Sequence, residues 1–440
     1  MTNTTLFRGM EDSVVATREE PSGLPRVRRP DRSQILMEPC CLEDRLAPDH
    51  PARTIWEVVK KLDLSAFYAS VAARGSDPGR AATDPALNIA LWLYAAVEGV
   101  GNGRELDRLC REHDAYRWLC GGVSVNYHTL NDFRVGHAEA LDELFTNVLA
   151  TLMHHDVVKV HRISQDGTRV RASAGAGSFR RKLRLEERLI QARGHVETLK
   201  RQAEEVPGES ARQRAAQERA ARDRAVRLEA ALAEFPKIEE IRARQSKAHQ
   251  AKHREPQVSS TDPEARKMKM SNGGFHPAYN VQTATDTQSR AILAIAVTNH
   301  GTDHREDAPL RAEVKRRTGQ MPKEHLLDGG YIDRKGIEHA SQEGVDLYMP
   351  LPKTVGPGQV CKNHRGDSPG VRAWRRRMLS DEGREIYKLR ASTSETVNAD
   401  LKAFRGLHAF AVRGLAKVRC VALWSALAYN IMHFAAVLVT

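Results

Sequence analysis

Aromatic residues are scarce in this 440-residue chain, where Phe, Trp and Tyr make up 5%. So few rings argue against a single-strand binder built on many base-stacking platforms. Cysteine is sparse too. Cys40, Cys41, Cys110, Cys120, Cys361 and Cys420 form no CxxC pair, so zinc-finger spacing and a dense disulfide framework are both missing, and a reduced cytoplasmic setting fits best. Cys361 with His364 is an incomplete zinc set. Residues 1–35 are polar, with Arg and Pro, and lack the apolar run of a signal peptide. The one long apolar stretch, Ala422 to Thr440, includes Asn430 and His433 and has no basic anchor after it. It reads as a buried core helix rather than a membrane segment.

What the chain has is length and positive charge. The length allows two or three domains and a sizeable core. The formal net charge is +12, and a protein this basic usually meets a polyanion. Nucleic acid is the first candidate and a membrane surface the second; charge alone does not choose.

The pattern divides the chain into four parts. Residues 1–35 read as a disordered or loosely packed lead-in. Residues 36–157 read as an all-helical domain with helices near Pro51, Asp84 and Arg104 and glycine breaks at Gly99, Gly101 and Gly103. Its segment Ser124 to Arg134 is a turn and a helix carrying Tyr127, His128, Thr129, Asn131 and Arg134. That helix is either the DNA-reading half of a helix-turn-helix or an ordinary bundle helix. Residues 179–254 are rich in Glu, Arg, Lys, Gln and Ala. Leu185, Leu189, Val196 and Leu199, then Leu228, Leu232 and Phe235, keep helical spacing around a break at Val206 to Ser210. This predicts an inserted antiparallel helical hairpin; a plain solvated arm is the alternative.

Residues 158–178 and 255–440 form the remaining part. Strands are expected at Lys159 to Arg171, Tyr279 to Asp286, Ala291 to Thr298, a short run ending at Leu327-Asp328, and Val345 to Met349. Helices are expected at Asp307 to Arg317 and Asp333 to Glu343. An irregular basic stretch from Pro350 to about Arg377 follows, and helices close the chain. Three strands in a meander, then alternating helix and strand, give an α/β fold with a mixed sheet flanked by helices, the order of an RNase H-like core.

Three acids suit phosphodiester chemistry. Asp166 lies in a strand before Gly167, Asp328 ends a strand before Gly329-Gly330, and Glu395 lies in a later helix. Two divalent ions about 3.5–4 Å apart clamp the attacking and leaving oxygens of an in-line displacement. Hard Mg²⁺ prefers carboxylate oxygens, and glycines leave room for metals and phosphate. Each acid alone is a weak signal, since Asp-Gly is a common turn. His300, Asp303, His304 and Asp307 read as a polar loop rather than a metal site, because the histidines lack the usual ligand spacing. Asp262, before Pro263, reads as a loop-ordering residue, with an approach to the active site as the alternative.

From Leu42 onward the sequence resembles bacterial insertion-sequence transposases of the DDE class, in the branch with a helical insertion after the first Asp. The resemblance rests on Leu62 to Tyr68, Cys110 to Leu119 and Phe133-Arg134 in the helical part. It continues through Gln165 to Ala172, Ser260 to Arg266, Tyr279 to Gln282 and Leu327 to Tyr331. A C-terminal set of Tyr387, Arg390, Glu395 and Lys402 resembles the family's third-acid signature. The gap from Arg390 to Glu395 is one residue longer than the commonest family spacing, which leaves Glu385 and Glu382 as alternatives. Arg405-Gly406, Arg413-Gly414-Leu415 and Ala428 to Asn430 resemble the family's tail and favour Glu395.

The resemblance implies that Asp166, Asp328 and Glu395 hold Mg²⁺, with Mn²⁺ a possible substitute. It implies that the enzyme cleaves the ends of its own element and joins them to target DNA. The partners implied are the terminal inverted repeats, the target DNA and other copies of the chain, with no membrane. Tyr387, Arg390, Lys402, Arg405 and Arg413, with His128 and Arg134 of the helical domain, are then expected at DNA. A DNA-binding relative without catalysis, or an RNase H-like nuclease that hydrolyses without joining, are the competing readings.

Overall fold

A computed structural model describes residues 39–73, 81–205, 211–243, 255–331, 333–351 and 366–439. The lead-in 1–35, the break at 206–210 and the Cys361–His364 pair lie outside the described residues.

Helices α1 (Pro51–Lys61), α2 (Ser65–Ala69), α3 (Pro85–Val97), α4 (Gly103–Glu112), α5 (Asp114–Cys120), α6 (Tyr127–Gly136) and α7 (Ala138–His154) come first. Their starts follow from local chemistry. Prolines 51 and 85 sit where a missing N–H costs nothing. The side chains of His50, Asp84, Asn102, His113 and Asn126 accept from free backbone amides at the ends of α1, α3, α4, α5 and α6. In α1 the buried residues Ala52, Ile55, Val58 and Val59 recur at helical spacing and face inward.

The sheet is built on β1 (Arg162–Arg171) and has six strands. After β1 come the short β2 (Phe179–Arg180), the hairpin helices α8 (Lys182–Glu205) and α9 (Ala211–Ala243), and then β3 (Val258–Ser259), which pairs with β2. Next are β4 (Arg266–Lys269), β5 (Phe275–Asp286), β6 (Ile292–Thr298), α10 (Asp307–Thr318), β7 (Glu324–Leu326), α11 (Arg334–Gln342) and β8 (Asp346–Tyr348). β5 lies antiparallel to β1 on one edge and carries β6 and β4 on its other edge. β7 lies parallel to β1, and β8 parallel to β7. The sheet is therefore mixed, and the expected sequence of five strands and two helices is present. The β2–β3 pair and β4 are additions, placed at the root of the hairpin.

The C-terminal part is α12 (Pro369–Leu379), α13 (Asp381–Arg390), a π-helical turn over Ala391–Glu395, α14 (Thr396–Ala403) and α15 (Leu415–Leu438). The helix α12 corrects the irregular stretch expected as far as Arg377. Ser368 caps it, Pro369 opens it, and Val371, Trp374 and Met378 bury one face.

The long apolar helix α15 is long enough to cross a membrane by composition, but Val418 and Cys420 through Ile431 are buried within the protein. It packs against α1, α3, α7 and β6, so the helical region and one sheet face share a core. Trp424 donates to the carbonyl of Arg134 at 3.0 Å, and Asn430 pairs with both backbone groups of Ile292 at 2.9 Å. In the hairpin, Leu185, Leu189 and Ala192 of α8 meet Ala225, Leu228, Ala231 and Phe235 of α9. Arg193 pairs with Glu229 across it at 2.7 Å. The charged faces remain outside, as the periodicity implies.

Candidate active site

Asp166 lies in the middle of β1, and the parallel register pairs Ser164 with Leu326 of β7. Continuing that register by two residues brings Asp166 level with Asp328. Neighbouring strands run about 4.8 Å apart, so the chain after β7 leaves the sheet beside the part of β1 that carries Asp166. β7 ends at Leu326, and Asp328 stands just past it on an exposed turn. There its own carboxylate accepts from the Gly329 amide at 2.7 Å. The aspartate expected to end a strand is thus a loop residue anchored by the strand before it.

The third element arrives from the C-terminal helices. Ser394 in the π turn hydrogen-bonds Ser164 of β1, and Asn398 of α14 accepts from Thr283 of β5 at 3.0 Å. These contacts press the turn onto the sheet face that carries Asp166. The amide of Asn398 donates to one Asp166 oxygen at 3.1 Å. Arg390 donates to the other at 3.2 Å and, from its second terminal nitrogen, to Glu395 at 3.1 Å. One guanidinium therefore spans Asp166 and Glu395.

The electrostatics agree with this geometry. Burial raises the Asp166 pKa above the ordinary carboxylate value, Arg390 and Asn398 oppose the rise, and Asp303 adds to it. Burial works against the Arg390 charge, but Asp166, Tyr387, Asp328 and Glu395 outweigh it and raise its pKa. The phenol of Tyr387 is pushed up by burial and by Asp328, Glu395 and Asp166, with Arg390 opposing. Burial lowers the Lys402 ammonium, Asp166 opposes that shift, and Arg169 adds to it. Tyr387, Arg390 and Lys402 thus all feel the acid Asp166. Glu385 instead pairs with Lys388 at 2.6 Å on the exposed face of α13, and Glu382 is exposed nearby.

The donor set suits a hard divalent cation, since the carboxylate oxygens come from a central strand, the loop after a second strand and the turn between two helices. Among the described residues, no three His, Cys, Asp or Glu side chains gather tightly enough to share one ion. The close convergence expected of the three acids is therefore not present in this arrangement. The Arg390 guanidinium holds the position between two of them, which places a positive charge where two carboxylates meet.

Other expected DNA residues lie elsewhere. Arg134 is buried: it donates to the Gly101 carbonyl at 2.7 Å, its guanidinium lies 4.3 Å over the Trp92 ring, and burial lowers its pKa to about 10. Its expected place at DNA is corrected to a place inside the helical core. It arises because the inward face of α6 carries Leu130, Phe133 and Arg134 together. Arg405 is paired with Asp400 at 2.9 Å and largely covered. His128 is exposed and its ring lies tilted against that of Tyr127, whose ring also carries Arg104 at 5.0 Å. Arg413 donates to the Ser173 carbonyl at 3.1 Å and lines a cleft of about 1150 Å³ bounded by α4, α6, α9 and the loop after β3. Arg104, Arg227, Lys237 and Lys417 line the same cleft.

Two family models match the chain. The one described as "Transposase domain (DUF772)" covers residues 40–135, and the one described as "Transposase DDE domain" covers residues 240–431. No curated protein and no solved structure matches it. The chain belongs to the transposases that carry a DDE domain, the family of insertion-sequence elements. Asp328, Arg390, Glu395 and Lys402 fall inside the DDE match. Asp166 falls between the two matches and is tied to the site by the β1–β7 register and by Arg390.

Proposed function

We propose that the chain is a DDE transposase with an RNase H-like core, cutting the ends of its own element and joining them to target DNA. Asp166, Asp328 and Glu395 would hold Mg²⁺, or Mn²⁺ in its place. The observation that carries this reading is the Arg390 guanidinium, which joins the acid of the central strand to the acid of the C-terminal helices at 3.2 and 3.1 Å. That bridge brings two acids from distant parts of the chain to one place on the sheet face. When bound, the metal pair supplies Lewis-acid stabilisation of the oxygens at the scissile phosphorus.

The chain's own residues do the rest. Asn398 holds one Asp166 oxygen, leaving the other free to exchange Arg390 for a ligand. Arg390, released, is placed to meet a backbone phosphate, with Lys402 and the Tyr387 hydroxyl beside it. Arg413, on the cleft, and exposed His128 would contact the flanking duplex, and two ends imply a multimer on DNA. A cytoplasmic protein that reaches DNA without crossing a membrane fits the basic composition.

The test uses the full-length protein with a duplex ending in the inverted repeat that flanks its gene, plus a target plasmid. Strand cleavage and joined products are expected with Mg²⁺ or Mn²⁺ and are lost in Asp166→Ala. Cleavage that persists in Asp166→Ala would sink the site assignment. Cleavage without joined products would make the chain a nuclease.

A further inference from the structure

His300, Asp303, His304 and Asp307 follow β6 closely, and the fold sends them to different places. His300 meets Glu306 at 2.5 Å, His304 lies 3.9 Å from Asp333, and Asp307 pairs with Arg311 at 2.6 Å. Asp303 alone turns toward β1. A single oxygen of its carboxylate accepts from Asn280 at 2.7 Å and from Gln282 at 2.8 Å, and Arg169 lies 3.5 Å from the other.

Both amides are buried in β5, at 0% and 1% exposure. A carboxylate can only accept, so it fixes which end of each amide faces it. The Gln282 carbonyl must then point the other way, where it accepts from Gln165 at 3.0 Å and from the Tyr331 hydroxyl at 2.7 Å. Gln165 precedes Asp166 in β1. Tyr331 closes the turn after Asp328, its amide 3.3 Å from the Asp328 carbonyl. On the far side of Asp166, a Cβ at Gly167 would lie 2.1 Å from the Asp303 carboxylate and 2.3 Å from the Gln282 amide. Both neighbours of Asp166 and the turn of Asp328 thus meet one carboxylate and one amide.

We propose that Asp303 is a positioning residue that sets the spacing of Asp166 and Asp328 through Gln282. The inference rests on the reading of those two aspartates as metal-holding groups. Charge-assisted hydrogen bonds from two buried amides are strong enough to hold such a network in one arrangement.

The experiment compares full-length wild type with Asp303→Ala, Asp303→Asn, Gly167→Ala and the Gly167→Ala/Asp303→Ala double variant. Single-turnover cleavage, duplex affinity, Mn²⁺ titration by calorimetry and thermal melting are read for each. Asp303→Ala is expected to lower the cleavage rate and the Mn²⁺ affinity by about 10- to 100-fold while duplex affinity stays at the wild-type value. Asp303→Asn keeps an accepting oxygen and recovers part of both. Gly167→Ala reproduces the defect, and the double variant loses no more than the worse single one, because both act on one unit. Wild-type cleavage and Mn²⁺ affinity in Asp303→Ala and Asp303→Asn would overturn the proposal. Should Asp303→Ala fail to fold, Asp303→Asn and Gly167→Ala decide on the same criteria. If Asp166→Ala cleaves like wild type, the underlying reading of the aspartates falls, whatever Asp303 does, and this inference falls with it.

Discussion

Asp166 and Asp262 both have their pKa raised by burial, yet they are held in opposite ways. Asp166 keeps 23% of its side chain exposed and is gripped by a cation, Arg390. Asp262 is fully buried, and one of its oxygens accepts from neutral donors, the Tyr279 hydroxyl at 2.7 Å and the Gly414 amide at 3.2 Å. A carboxylate beside a movable cation at the surface can exchange that partner for another positive charge. A carboxylate sealed among an aromatic hydroxyl and a backbone amide is a pin between β5 and the start of α15. Burial and motif resemblance alone do not separate the two roles; the nature of the partner does.

That contrast can be broken most sharply at Asp166. Asp166→Ala is expected to lower cleavage by at least about 1000-fold, roughly 4 kcal/mol of transition-state stabilisation, with little change in the thermal midpoint. Asp262→Ala should do the reverse. It strands the Tyr279 hydroxyl and lowers unfolding stability by about 1–3 kcal/mol, read by urea titration, while cleavage per folded molecule is retained. If Asp262→Ala abolishes cleavage in a fully folded protein, the division of roles is wrong.

The cations sharpen the same comparison at smaller scale. Arg134→Met leaves the Gly101 carbonyl without its donor and should cost about 1–2 kcal/mol of stability without altering the salt dependence of DNA binding. Lys402→Ala should leave stability unchanged and reduce the slope of log affinity against log salt by about 1.

The smallest effect concerns the hairpin. Glu234 of α9 is buried, but its ion-paired hydrogen bonds to Lys237 and Arg266 outweigh burial and hold its pKa below 4.5. A lowered carboxylate pKa stabilises the fold above the unfolded value and loses that contribution as pH falls through the folded value. Unfolding measured from neutral pH to below pH 4.5 should therefore show a loss of about 1 kcal/mol in wild type that is missing in Glu234→Gln.

Much of this was legible in the sequence because period and punctuation carry it. The alternation at β1 and β5, the apolar run at β6, the Gly pair after Asp328 and the apolar spacing of the hairpin all predicted elements that are present. What stayed hidden depended on tertiary partners. The extra residue between Arg390 and Glu395 looked like a shifted register. It is taken up by the π turn over Ala391–Glu395, whose wider winding brings residues five apart onto one face. Arg134 looked like a DNA contact because its charge says nothing about which face of α6 it occupies. Asp303 was hidden in a polar loop. Its one sequence signal was the spacing of Asn280 and Gln282, two amides on one face of a strand, which once buried require hydrogen-bond partners.

The helix α15 has a consequence for how the molecule comes into being. Trp424 reaches a backbone partner 290 residues earlier in the chain, and α1, α3 and α7 complete their core only against α15. Contacts that distant are slow to form. During synthesis the helical region, β1 and the strands around it emerge with their apolar faces uncovered, and they remain so until α15 is made. A chain truncated before Leu415 would lack the helix against which α1, α3, α7 and β6 all pack. The last helix to be made is therefore the one that closes the core shared by the helical region and the sheet.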